Sequence, residues 1–203
     1  MLLTTAEDIA AFVQEIRRES DRGLPLVALG LIDELLLETL RAFFRETKST
    51  KYLLDDGNAP LGSVSSRLHA CFALGLINDF EFAEIMLLRK VRNLFAHKKH
   101  GMSFCDEQVR GYCSTLKSDL PKDAGYDTKD PRFRFENATV CMVLRLYHRA
   151  DWVKLKRCDL CEAAQLPPSL WRSFEDDPPP DGQSFIAIGP GNPRLGAEKE
   201  TGK

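Results

Sequence analysis

Arg92, Asn93 and His97 fall within one short stretch, Val91-Arg-Asn-Leu-Phe-Ala-His97, and are the residues of this chain best suited to chemistry. A histidine with an ordinary pKa near ~6.5 can take the 2′-hydroxyl proton of RNA, and an arginine can stabilise the charged phosphorane that follows. Such a pair would cut RNA without a metal. Its geometry is demanding, because residues i and i+5 of an ideal helix point well apart. The two side chains meet only if the helix stops near Ala96, or if a second chain brings its own pair to the same cleft. The structural alternative is simpler. Arg92 would pair with a carboxylate of a neighbouring helix, and His97 would sit at the carbonyl end of its own, where a cation suits the macrodipole.

The carboxylates able to meet such an arginine are Asp33, Glu34 and Glu38, on the most apolar helix of the chain. They could simply form a narrow solvated face; alternatively one of them is buried, and a buried carboxylate must be paired. Arg67, Arg89 and Arg92 are then the candidate partners, and Asp33 with Arg92 is the favoured pair. Arg67 and Arg89 could instead hold an anion, which would make the protein a sugar-phosphate sensor. Cys158 and Cys161 form a single C-x-x-C, short of the four ligands zinc needs. His148 could be a third ligand. Cys141 lies two turns before His148, about 10 Å along the axis, so one ion cannot take both. No metal and no cofactor is expected. There is no G-x-S-x-G and no phosphate-binding loop, and Gly57 and Gly62 are too sparse to make one. His69 and His148 stand among apolar neighbours and read as packing residues. Lys98-Lys99-His100 is a short basic patch, ordinarily solvated, that could attract a phosphate.

Arg92 and His97 at a helix end resemble the motif of the HEPN superfamily, whose active members are dimeric ribonucleases and toxins. That resemblance implies a metal-independent endoribonuclease in which Arg92 and His97, with Asn93 beside them, work across a dimer.

The elements that must position these residues follow from periodicity and caps. Thr4 with Glu7 suggests a capping box for a first helix over about 5–20, with Ile9, Phe12, Val13 and Ile16 on one face. A second helix over about 24–46 is apolar nearly all round and should be central. A polar connection at 48–51 and the turn Asp55-Asp56-Gly57-Asn58-Ala59-Pro60 lead to a third helix over about 64–74, capped by Gly62-Ser63 and stopped by Gly75. Asn78 with Glu81 opens a fourth over about 79–96. Further helices are expected over 105–116 and 135–150, with a loop from 121 to 131. The segment 152–155 reads as a short strand or a further helical turn, and Pro167-Pro168 opens a short helix through 171–174. The class is all-α: a single bundle of about six helices over 1–150, a short appended segment over 151–175, and a disordered tail over 176–203.

With 203 residues, 43% of them hydrophobic, the chain can build one core. A formal net charge of -2 denies it the basic footprint of a nucleic-acid binder, so direct DNA binding is not expected. No apolar run reaches the roughly 20 residues of a membrane-spanning helix, and the N-terminus has no signal layout. A cytoplasmic protein with no membrane contact is expected, its six cysteines serving as core thiols.

A longer resemblance runs through Leu53-Leu54-Asp55-Asp56-Gly57, Ala59-Pro60-Leu61-Gly62, Ser65 with Arg67-Leu68, Leu74-Gly75-Leu76-Ile77-Asn78, Leu87-Leu88-Arg89, Arg92-Asn93 and Ala96-His97. Phe104 with Asp106-Glu107 and the helical run 135–149 continue it. In this order the motifs resemble the mannitol operon repressor family, over about 24–150, while 151–203 extends past the match. The resemblance implies an all-helical transcriptional regulator of sugar-alcohol uptake, without a helix-turn-helix, that acts through a protein partner. Its binding surface would lie near Asp33, Arg67, Arg89, Arg92 and His97. A homodimer is expected under this reading and under the ribonuclease reading, and RNA is a partner only under the latter.

Overall fold

A computed structural model describes residues 5–98, 101–119, 129–157, 171–173 and 186–188. The chain divides into two compact units, Met1–Arg157 and Cys158–Lys203. The first unit is all-helical, with eight helices among its described residues rather than about six.

Helix α1 (Ala6–Arg18) starts one residue later than the Thr4/Glu7 pattern suggested. The box is closed by Thr5 and Asp8: the Thr5 hydroxyl accepts from the Asp8 N–H at 3.1 Å, and the Asp8 carboxylate accepts from the Thr5 N–H at 3.0 Å. Helix α2 (Gly23–Phe43) is the central rod, touching α1 and five later helices. Ile32, Leu36 and Leu40 on it are fully buried, each side chain contributing about 1.5–3 kcal/mol by leaving water. It is not buried on every side, since the apolar Leu26 and Val27 are exposed.

The polar connection after α2 is in fact a helix, α3 (Lys48–Leu54). Its lysines concealed it, but Thr47 caps it and Leu54 anchors it in the core. Helix α4 (Val64–Ala73) is capped by Ser63 and closed by Gly75. Gly75 takes φ +68°, with its N–H on the Phe72 carbonyl and the Leu76 N–H on the Cys71 carbonyl. That pair of bonds needs a left-handed residue, which glycine adopts without strain. Helix α5 (Asp79–His97) begins with the Asn78/Glu81 box and runs one residue past the expected end.

Helix α6 (Glu107–Thr115) is followed by α7 (Pro131–Tyr147), which starts four residues earlier than expected. Asp130 explains the shift, because its carboxylate accepts from the N–H groups of Arg132 and Phe133, with Pro131 at the first helical position. The segment left open between strand and helix is helical: α8 (Arg149–Lys156) packs along α2 through buried Val153.

In the second unit a parallel pair of strands, β1 (Trp171–Ser173) and β2 (Ile186–Ile188), is described, with Trp171 opposite Ile186. The short helix expected through 171–174 is therefore a strand where it is described, and 186–188 is strand rather than disordered tail. The remaining residues of that expectation lie outside the described ones. Among the described residues no helix is long and apolar enough to cross a membrane.

Candidate functional site: the two halves of α5

Helix α5 turns Ile85, Leu88, Val91 and Phe95 into the core at helical spacing. Glu81 and Glu84 fall on the same stripe, two turns and one turn before Leu88, so both carboxylates are carried inward. Each has partners in place. Glu81 accepts the Asn78 N–H at 3.0 Å through Oε2. Its Oε1 accepts from Arg149 Nη2 at 2.6 Å, with Arg145 at 3.9 Å. Arg149 also donates to the Leu76 carbonyl at 2.7 Å, so one ion pair ties α8 to the α4–α5 turn. Glu84 accepts the Lys117 N–H at 2.8 Å, the Ser118 N–H at 3.0 Å and the Ser118 hydroxyl at 2.6 Å. Three donors satisfy the buried carboxylate and clamp the chain leaving α6.

The second half of α5 differs. Arg89 and Arg92 are half-buried. Arg89 Nη1 reaches the Met86 sulfur at 3.9 Å, and Arg92 Nη1 donates to Asn93 Oδ1 at 3.1 Å. Neither has a carboxylate within ion-pair distance among the described residues. His97 is the last helical residue and is exposed. Because α5 runs unbroken through His97, Arg92 and His97 stand about 140° apart around the axis. Among the described residues no hydrogen bond joins them. Lys98 follows, exposed and 3.7 Å from Asp106. Lys99 and His100 lie outside the described residues.

The pair expected between Asp33 and Arg92 does not form. Asp33 Oδ2 accepts from Arg67 Nη1 at 2.7 Å, and Arg67 Nε donates to the Leu61 carbonyl at 2.9 Å. Helix α4 wins because it lies against this turn of α2, its Cys71 thiol donating to the Leu36 carbonyl at 3.8 Å. Asp33 Oδ1 is buried with no hydrogen-bond partner among the described residues. Arg67 is thus committed to a carboxylate and a carbonyl, while Arg89 is not. Glu34 and Glu38 are exposed.

Burial pushes the Cys71 and Cys113 thiols up to about 12, which keeps both neutral as core groups. Cys105 departs from the expected core role because it is exposed. Cys158 and Cys161 lie outside the described residues, and among the described ones no three metal-ligating side chains converge. The two packing histidines also differ from expectation. His69 is exposed, its ring T-shaped to that of Phe82 at 5.2 Å, and His148 is 71% exposed beside Asp151.

Three structural pairings escaped the sequence: Glu81 with Arg149, Glu84 with the 117–118 turn, and Arg132 with Asp21 at 2.6 Å and Glu136 at 2.9 Å. The legible signal was the position of Glu81 and Glu84 on the apolar stripe of α5. Burial raises the Glu136 carboxyl, opposed by Arg132 and Arg17.

Residues 17–129 match the family model described as mannitol repressor. The chain belongs to the mannitol repressor family. The mannitol operon repressors of Escherichia coli K12 and of Escherichia coli O6:H1 are each 31% identical to it over 149 residues, 67% of this chain and 76% of theirs. Among solved structures, a possible transcriptional regulator, YggD, from Shigella flexneri covers 74% of this chain and 99% of its own at 13% identity and a TM-score of 0.53, a likeness of fold. The X-ray structure of the MtlR–HPr complex from Escherichia coli covers 72% of this chain and 98% of its own, at 25% identity and a TM-score of 0.48.

Proposed function

We propose that this family member regulates transcription by docking a protein partner rather than by holding DNA itself, and that the partner sits on the second half of α5. The observation that carries this reading is the pair of half-buried guanidiniums, Arg89 and Arg92, with no carboxylate among the described residues to neutralise them. An unpaired guanidinium on a rigid helix is ready to grip a carboxylate or phosphate of a partner. The net charge of -2 leaves little electrostatic means of holding DNA alone. HPr, the protein named in the Escherichia coli MtlR complex, is the first partner to try. Titration calorimetry with the HPr of the same organism should give saturable binding. The variant Arg89→Met/Arg92→Met should weaken it at least about tenfold, the loss expected of interface arginines. Binding that is unchanged in that variant would remove this surface from the reading.

A second reading rests on the same missing acid. The purely structural role of Arg92 requires a carboxylate partner, and Arg92 is held by Asn93 instead, one turn from exposed His97. Under this reading two copies bring Arg92 of one and His97 of the other together to cleave RNA without metal. Purified protein incubated with RNA in EDTA tests it. Cleavage lost in His97→Ala supports the ribonuclease, and intact RNA leaves the docking reading alone.

A further inference from the structure

An open cavity in the first unit lies away from α5, in the elbow where α2 ends and α3 doubles back. It holds about 470 Å³, within the range of roughly 300–1,000 Å³ that takes small organic ligands. Its lining has four cations, Arg41, Arg45, Lys48 and Lys51, against two carboxylates, Glu46 and Asp55.

The acceptors of this wall are largely occupied. Asp55 accepts from Arg41 at 2.7 Å, which also fixes that guanidinium in place. The Arg45 carbonyl accepts from the Thr50 hydroxyl, and the Phe44 carbonyl from Arg157 at 3.4 Å. The donors are not. Among the described residues, Arg45, Lys48 and Lys51 have no ion-pair partner. Repulsion between three such cations is a cost that the fold does not need, since none of them is buried. A cavity with this surplus of charged donors is complementary to a ligand rich in acceptors and doubly negative. Its volume exceeds what a bare phosphate fills, and the Phe44 side of the lining offers an apolar contact.

We propose that the cavity between the end of α2 and α3 binds a small phosphorylated organic molecule, its phosphate held by Arg45, Lys48 and Lys51. The site is independent of the partner surface on α5, so either can fail without the other.

The test is titration calorimetry on the full chain at constant ionic strength, because exposed cations are screened by salt. The probes are glucose 6-phosphate, glycerol 3-phosphate, AMP, glucose and inorganic phosphate. At least one phosphomonoester should bind saturably and more tightly than inorganic phosphate, and glucose should not bind. The variant Arg45→Gln/Lys48→Gln/Lys51→Gln should weaken that binding at least about tenfold with no change in its ligand-free unfolding midpoint. Arg89→Met/Arg92→Met should leave it as it is. Three outcomes would each overturn the proposal: no binding by any phosphomonoester, equal binding by the triple variant, or binding of inorganic phosphate with no gain from the organic part.

Discussion

Glu81 and Glu84 stand on the first half of α5, Arg89 and Arg92 on the second, and all four are at least half-buried. The acidic pair is fully satisfied, by Arg149 and a cap on one side and by three donors of the 117–118 turn on the other. The basic pair has a thioether and an amide. One helix therefore carries charges that hold the bundle together and charges that the bundle leaves available. Burial separates the two kinds in part, since the carboxylates are fully buried and the guanidiniums half-buried. The presence of a charged or capping partner completes the separation, and that is why the second half is the better place to look for function.

The comparison breaks most visibly at Glu81. Glu81→Ala leaves Arg149 without its carboxylate at a mostly buried site and removes a cap, and should cost about 3–5 kcal/mol in urea unfolding. A loss below about 1 kcal/mol would mean that the first half is no more structural than the second. Glu84→Gln keeps the shape but removes the charge from three hydrogen bonds, and should lower stability by about 2 kcal/mol in the same measurement. The Asp33/Arg67 double-mutant cycle should give a coupling of about 1 kcal/mol, while Asp33/Arg92 should add to within about 0.5 kcal/mol. Coupling in the second cycle would return Arg92 to the structural class. The smallest effect is expected for Arg89→Met and Arg92→Met, which keep the apolar stem. Each should shift stability by less than about 0.5 kcal/mol while partner binding falls.

Much of the helical framework was legible because its signals are local. Asn78 with Glu81 and the glycine at 75 act through hydrogen bonds only a few residues apart, and each is where the pattern put it. Local signals also misled by small steps. Thr4 and Thr5 are equivalent in sequence, and the backbone geometry chose Thr5. Asp130 before Pro131 was read as loop, although an aspartate followed by proline opens a helix well. Helix α3 was hidden because its first turn is polar and only Leu54 reaches the core.

The candidate site was legible only in its members. Arg67, Arg89 and Arg92 all had the right chemistry to meet Asp33, and nothing in the order of residues ranks three arginines on two neighbouring helices. The packing of α4 against α2 put Arg67 at 2.7 Å and left the other two without an acid. Amino-acid order by itself determined the class, the caps, the apolar stripes and the family, since these depend on types and spacings within a few turns. Which charges neutralise one another was decided by the tertiary structure. An ion pair depends on distances of a few ångströms between residues far apart in the chain, and only the packed helices set those distances.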